Sequence, residues 1–439
     1  MSFPSYPRLK PSGVEWIGDL PDHWDVMPLK RIVSLRSGEM IRPDQVDETG
    51  TYPVYGGNGL RGYTSTYTHE GTYALVGRQG ALCGNVNYAS GQFWASEHAI
   101  VATPLCGMPV TWLGELLRTM NLGRYSTSAA QPGISVEMIA NLVVGVPPLP
   151  EQTAIAAFLD RETGKIDTLV EEQKRLIELL KEKRQAVISH AVTKGLNPDV
   201  PMKASGVEWL GEVPEHWDVK PLKLAASVQT GTAKGKDNSG KDTVRVPYLR
   251  VANVQDGYLD LTDVAEIEIP ASDLDRYRLR KGDVLMNEGG DFDKLGRGHV
   301  WYGEIDPCIH QNHVFAVRPR EVSPEWLNAV TSSAYAQFYF MSRSKQSTNL
   351  ASISSTNIME LPLVLPSRDE QVEILQQVDR QLSRLSQLSA ECNLAVQILL
   401  ERRASLISAA VTGKIDVRPF EDRSQADAAP AQTDRRVFA

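Results

Sequence analysis

Arg78 and Gln79 stand between two glycines, Gly77 and Gly80, in a chain with few other clusters of chemistry-bearing side chains. On a glycine turn, a guanidinium or primary amide can engage two polar atoms at once, as on the edge of guanine or adenine. Asn287 and Arg297, on either side of Gly289-Gly290, repeat that offer further along. Asn85, Gln131, Gln311, Asn312 and Asn349 are also of the base-reading type, and Lys294, Lys234 and Lys236 suit phosphate oxygens. The blander alternative is that these residues form turns or face solvent. The segments around them are close to charge-neutral, so electrostatics alone does not select nucleic acid.

Catalytic signatures are thin. The chain has no Gly-x-x-x-x-Gly-Lys-Ser/Thr loop, no Gly-x-Gly-x-x-Gly opening a helix after a strand, no His-Glu-x-x-His and no Gly-x-Ser-x-Gly. Asn197-Pro198-Asp199 does not continue into the Asn-Pro-Pro-Tyr type of sequence that holds a flipped base for amino methylation. Glu288, Asp291 and Asp293 near Lys294 invite a nuclease reading. The earlier segment offers only Arg78-Gln79-Gly80 at the corresponding place, which argues against a shared metal site.

Composition sets outer limits. At 439 residues the chain can hold two or three domains, and 42% apolar and 23% charged residues are ordinary for a globular protein. A net charge of −8 excludes a globally basic nucleic-acid coat but not a local binding face. No apolar run nears the roughly 18 residues of a membrane span. The first residues lack a secretion signal, so no membrane association and a cytoplasmic location are expected. Cys83, Cys106, Cys308 and Cys392 are scattered, which argues against a zinc site or a disulfide framework.

The elements that must position these residues are long helices. Glu151–Thr193 holds no proline and one interior glycine, Gly164. Ala156, Leu159, Ile166, Val170, Ile177, Leu180, Val187 and Ala191 form one apolar seam, predicting a helix about 60 Å long. The seam returns at Leu375, Val378, Leu382, Leu385, Cys392, Val396, Leu399, Leu406 and Ala410, with Glu370-Gln371 echoing Glu151-Gln152 at an offset of 219. Gln173, Arg184, Ser389 and Arg403 interrupt the seams and are read as register-setting, with partner contact as the alternative. Ser367 and Glu370 have capping-box spacing, and Gly195 and Gly413 stop the two helices.

The chain is written twice. Ser12–Lys30 and Ser205–Lys223 agree at 14 of 19 positions, with Trp16, Trp24, Trp209 and Trp217 read as core anchors. His313–Pro319 resembles His98–Pro104, Gly282–Gly290 resembles Gly71–Gly80, and Ile353-Ser354 matches Ile134-Ser135. Extra length in the second copy is placed in Gly231–Thr243 and Asp256–Arg280. A compact domain of this size has a radius near 15 Å, too small to carry the chain back along the first helix. The second helix must then run antiparallel to the first, in a pseudo-twofold, nearly circular arrangement.

The expected fold is α+β. It comprises an N-terminal segment with globular domain (1–148), a spacer helix (149–195), a repeat segment with second globular domain (196–366), a second spacer helix (367–413) and a disordered tail (414–439).

The order of these pieces resembles the specificity (S) subunit of type I restriction-modification enzymes. Its carriers are the repeated Ser-Gly-Val-Glu-Trp…Pro-x-His-Trp, Gly77-Arg78-Gln79-Gly80…Cys83-Gly84-Asn85, Gln131-Pro132-Gly133-Ile134-Ser135, the proline-rich entry to Glu151-Gln152, and the paired helices. The resemblance implies two target-recognition domains that each read half of a split site in double-stranded DNA, with the helix pair as ruler. It implies two methyltransferase subunits, and optionally two motor-nuclease subunits, docked on this chain. S-adenosylmethionine, ATP and Mg²⁺ would all be bound by those partners, leaving this chain non-catalytic. The competing functions are a stand-alone metal-dependent nuclease and a coiled-coil scaffold without DNA contact.

Overall fold

The computed structural model describes residues 3–126, 132–235, 239–290, 295–347 and 350–420. Gln131, Lys236, Asp291, Asp293, Lys294 and Asn349 lie outside the described residues. The chain divides into two compact units, Met1–Gln173 with Leu394–Ala439, and Lys174–Asn393. The division passes through both long helices, whereas the sequence layout sets each helix apart as a spacer.

In the first unit the β-prone run Tyr73–Gly77 is an inner strand of a four-stranded antiparallel sheet. The order is Val33–Ser37, Ala99–Pro104, Tyr73–Gly77, Val86–Ala89. The run is apolar throughout because both sheet faces are covered. Ala74 and Val76 pack with Trp112, Leu113 and Leu116 of helix Val110–Thr119. Leu75 points the other way, into a cluster with Phe93 and Ala95. Those two residues belong to a second sheet, in which Tyr52–Gly56 pairs antiparallel with Gly59–Thr64 and parallel with Gln92–Ala95. The expected short helix after Ser135 is Val136–Asn141; the Ser135 hydroxyl caps it by accepting from Met138 N at 3.1 Å.

The second unit repeats this topology. Its main sheet runs Ala226–Thr230, Val314–Pro319, Val284–Asn287, Gly298–Val300. Val284 and Met286 pack with Trp326 and Leu327, and Leu285 turns to the opposite cluster. Thr243–Leu249 pairs antiparallel with Ala265–Pro270 and parallel with Ile309–His310. In this copy the stretch 250–264 joins the antiparallel strands, where the first copy uses a tight turn, and this absorbs extra sequence length. Helix Ala334–Arg343 and a three-stranded sheet of Gly289–Gly290, Leu350–Ser352 and Lys345–Ser347 are further additions.

The long helices span Leu149–Lys194 and Arg368–Val411. The repeated Glu-Gln pairs have a local cause: Gln152 and Gln371 are buried, and their amides donate to the Pro147 and Pro366 carbonyls at 2.9 and 3.0 Å. A buried amide with no such acceptor would cost about 1–3 kcal/mol.

Within the first unit Leu159, Ile166 and Val170 share a core with Leu406, Ile407 and Ala410, and Val396 and Leu399 pack at its edge. Within the second, Val378 is buried beside Ile188 and Ala191, while Ile177, Leu180 and Leu385 line a shallow half-buried groove. Two seam interruptions are register contacts: Arg403 grips Asp167 through two bonds of 2.8 and 3.2 Å, and Arg184 reaches Ser386 at 3.0 Å.

Three expectations need correction. Val187 is only half-buried, and its neighbour Ile188 takes the core position. There the helix also packs against the globular part, with Gln185 donating to Ser332 O and Ser189 accepting from Ala334 N. The capping box at the second helix is half-formed. Ser367 accepts from Glu370 N at 3.3 Å, but the Glu370 carboxylate turns to His216 instead of back to the cap. Residues 414–420 are ordered: Ile415 and Val417 are buried, and Phe420 packs on Phe3 and Phe158.

The Ser-Gly-Val-Glu-Trp…His-Trp repeat acts as a clasp. In each unit it contacts the start of one long helix and the end of the other. In the first unit His23 bonds Glu151 at 2.7 Å, Lys414 donates to Asp19 O, and Trp24 packs beside Gly413. In the second, His216 bonds Glu370 at 3.0 Å, Lys194 donates to Glu212 O, and Trp217 packs beside Gly195. Trp24 and Trp217 are fully buried anchors, whereas Trp16 and Trp209 are half-buried.

Candidate nucleic-acid interface

At one end of the first unit's main sheet, strand Tyr73–Gly77 runs out into the loop that carries Arg78 and Gln79. A framework of backbone bonds fixes this loop. Arg78 N donates to His98 O at 2.8 Å, and Arg78 O accepts from Ile134 N at 3.0 Å. Gly77 N donates to Asn85 O at 2.8 Å, and Gln79 bridges to Gly133. Glycine is required at position 77, where a Cβ would stand 2.2 Å from Gly57 O. The frame brings Arg78, Gln79 and Asn85 together. The Arg78 guanidinium is half-buried with one bond to Ser37 Oγ at 3.3 Å, and Gln79 is exposed. Asn85 is exposed and makes a long contact, 3.5 Å, to Asn58. Among the described residues Ser37 is the one hydrogen-bond partner of this guanidinium, which leaves donors for a base or phosphate contact.

The second unit rebuilds the frame bond for bond. Glu288 N donates to His313 O at 2.9 Å, and Glu288 O accepts from Ile353 N at 2.9 Å. Asn287 N donates to Arg297 O at 3.1 Å, and Gly289 pairs with Ser352. By these bonds Glu288 occupies the Arg78 position, Gly289 that of Gln79, Arg297 that of Asn85, and Asn287 that of Gly77.

This alignment corrects the assignment of Asn287 to base reading. Its side chain is fully buried, with Nδ2 donating to Val254 O at 2.8 Å beneath the loop. Gln311 is half-buried with its amide oxygen accepting from Val251 N at 3.3 Å, and Asn312 sits beside His313 at 3.2 Å. Arg297 is half-buried on the same rim. The residue that sequence reasoning assigned only to a nuclease is Glu288. Its carboxylate bonds His313 Nδ1 at 2.6 Å, and both side chains are open to solvent. The sequence comparison set Arg78-Gln79-Gly80 opposite this stretch, but the nearby Asp291 and Asp293 gave the carboxylate a metal-binding reading.

Beneath the second rim the titratable groups are structural. His310 is completely buried and its Nδ1–H donates to Val314 O at 2.7 Å; burial lowers its pKa to about 4. Burial also pushes the Cys308 thiol up to about 12, so this cysteine stays protonated. Asp283 is buried and paired to Arg318 through two bonds of 2.7 Å, which raise the guanidinium pKa. Among the described residues no group of three His, Cys, Asp or Glu side chains is placed to hold a metal ion. Likewise, no helix among them is long and apolar enough to cross a membrane.

Comparison with known proteins places this geometry. The type I restriction modification DNA specificity domain family matches residues 21–179. The chain is 42% identical over 145 residues to the Escherichia coli type I restriction enzyme EcoprrI specificity subunit, covering 32% of this chain and 35% of that one. It is 26% identical over 282 residues to the EcoKI specificity subunit of Escherichia coli K12, covering 62% and 57%. With the Escherichia coli EcoBI specificity subunit the identity is 23%, over 81% of this chain and 78% of the relative. The first two matches therefore span about a third and just over half of the relatives' own length. A solved chain described under complex assembly and conformational transition of the type I R-M system shares the fold. Its TM-score is 0.65 at 14% identity, over 90% of this chain and 99% of that one.

Proposed function

We propose that this chain, whose residues 21–179 match the type I restriction modification DNA specificity domain, is the subunit that reads a split target in double-stranded DNA. Each unit reads one half-site with the rim that its backbone frame holds up. The observation that carries this reading is the identical frame in both units, furnished with different side chains: Arg78, Gln79 and Asn85 in one, Glu288, Gly289 and Arg297 in the other. Duplicated scaffolds with unlike tips suit an asymmetric bipartite sequence, because base-edge contacts specify while the shared parts position.

Chemistry on the DNA falls to partners. Two methyltransferase subunits would supply S-adenosylmethionine, and motor-nuclease subunits, where present, ATP and Mg²⁺. This chain would direct them to the site in the cytoplasm without catalysing a step itself. Each long helix is continuous from one unit into the other, so helix length is the natural determinant of the gap between half-sites. Inserting one heptad into each helix changes the permitted gap and leaves the half-sites alone if this is so; an unchanged gap removes the helices from that role.

Methylation mapping of the source genome with and without this gene tests the reading. A bipartite motif that loses its modification on deletion supports it. Methylation unchanged by the deletion, or lost without regard to sequence, contradicts it.

A further inference from the structure

The frame equivalence pairs residues of opposite charge at one position, and we propose that this position reads a base in each half-site, with Arg78 selecting guanine and Glu288 selecting cytosine. The assignment rests on the function proposed above and adds which base chemistry each unit favours. Three observations carry it.

Arg78 and Glu288 are fixed by the same two backbone bonds, to a histidine carbonyl and from an isoleucine N–H, so their Cα atoms leave equivalent points of the frame. Packing does not explain a reversal from guanidinium to carboxylate, since neither side chain belongs to a core cluster. A difference in what each must meet outside the protein does.

The carboxylate is also oriented. His313 Nδ1 holds one Glu288 oxygen at 2.6 Å, and Asn312 approaches the other side of the same imidazole at 3.2 Å. Among the described residues the second carboxylate oxygen meets no donor and is left to accept. In the major groove an acceptor of this kind matches the N4 amino group of cytosine. In the first unit the equivalent His98 pairs with its neighbour Glu97 at 3.1 Å, leaving Arg78 unopposed and able to donate to guanine O6 and N7.

Access is the third observation. Glu288 and His313 line a cleft of about 440 Å³ with Val251, Gly289, Gly290, Ala351 and Ser352. In the first unit Gln79 stands where Gly289 is, adding a second donor-acceptor group beside Arg78. An approaching base edge therefore meets a carboxylate in a recess in one unit and a guanidinium-amide pair on a rim in the other.

The test uses the full chain assembled with its methyltransferase partner, and duplexes carrying every single-base change in both half-sites. Glu288→Ala lowers discrimination at one base pair of one half-site by about tenfold to a hundredfold, and Arg78→Ala does so at one base pair of the other. Glu288→Gln, which keeps shape and folding, moves the preference at the affected pair from cytosine towards adenine. Discrimination unchanged at every position, or a loss of affinity uniform across all sequences, overturns the assignment while leaving bipartite recognition by the unsubstituted protein intact. If that unsubstituted protein shows no bipartite preference, the proposed function itself fails.

Discussion

Each unit closes its clasp with a tryptophan packed on the glycine that ends a long helix, but only one of the two tryptophans has a partner for its ring nitrogen. Trp24 Nε1 donates to Glu151 at 3.1 Å, and the same carboxylate takes bonds from Tyr6 and His23. Among the described residues Trp217 Nε1 is buried without a hydrogen-bond partner and the Glu370 carboxylate meets His216 alone. The cause lies in the flanking sequence. Tyr6 in the first copy corresponds to Asp199 in the second. The first clasp also receives a return strap: Asp416 N donates to Pro4 O at 2.8 Å, and the Arg418 guanidinium lies over the Tyr6 ring. Burial and the Glu151 carboxylate both raise the Tyr6 pKa, so the phenol remains a donor. A clasp made from two ends of the described chain has a polar network inside it, whereas a clasp made in mid-chain has its covalent continuity.

This difference can be broken in steps of decreasing size. Gly413 and Gly195 both have left-handed φ, but a Cβ on Gly413 would stand 2.3 Å from Pro21, against 3.2 Å to Trp217 for Gly195. Gly413→Ala should cost about 4 kcal/mol and Gly195→Ala about 2, as backbone strain plus unequal overpacking. Urea denaturation checks the sum, and hydrogen exchange of residues 12–24 against 205–217 checks the location.

His310 separates the units by pH. It fills the position of Ala95, and its folded pKa of about 4 lies below the ordinary 6.5. The neutral ring's contribution is complete above pH 6.5 and is lost as pH falls through 4, by about 3 kcal/mol. Stability measured across that window should lose this slope in His310→Ala, whatever the absolute cost of the cavity.

Tyr6→Phe removes a donor to a buried carboxylate and should cost about 2 kcal/mol, seen as faster exchange in 12–24 and none in 205–217. The smallest effect is Arg403→Ala. Its pair with Asp167 is partly exposed, so the loss should be about 1 kcal/mol or less. Equal responses of the two clasps would mean that the asymmetry of bonds carries no energy.

Regular features were legible in the sequence because they repeat with a period or in duplicate. The helix seams, their stops at Gly195 and Gly413, and the fourfold tryptophan pattern fall in this class. The reason for the Glu-Gln pair was not legible, since the acceptors are backbone carbonyls of Pro147 and Pro366 that close on it only in three dimensions. The order in 414–420 was missed because its apolar residues, Ile415 and Val417, are too few to form a pattern and find their burial against residues near the start of the chain. Glu288 was missed as a rim residue because Asp291 and Asp293 beside it suggested a metal site rather than a contact to a base. Its bonds from Ile353 and to His313 place it at the Arg78 position of the frame.

The central claim is that the two units read separate half-sites. Replacing residues 223–366 with the same region of a relative of different specificity, followed by methylation mapping, tests it. One half of the bipartite motif should change to that of the donor while the other half and the gap persist. A motif altered in both halves, or in neither, would contradict it.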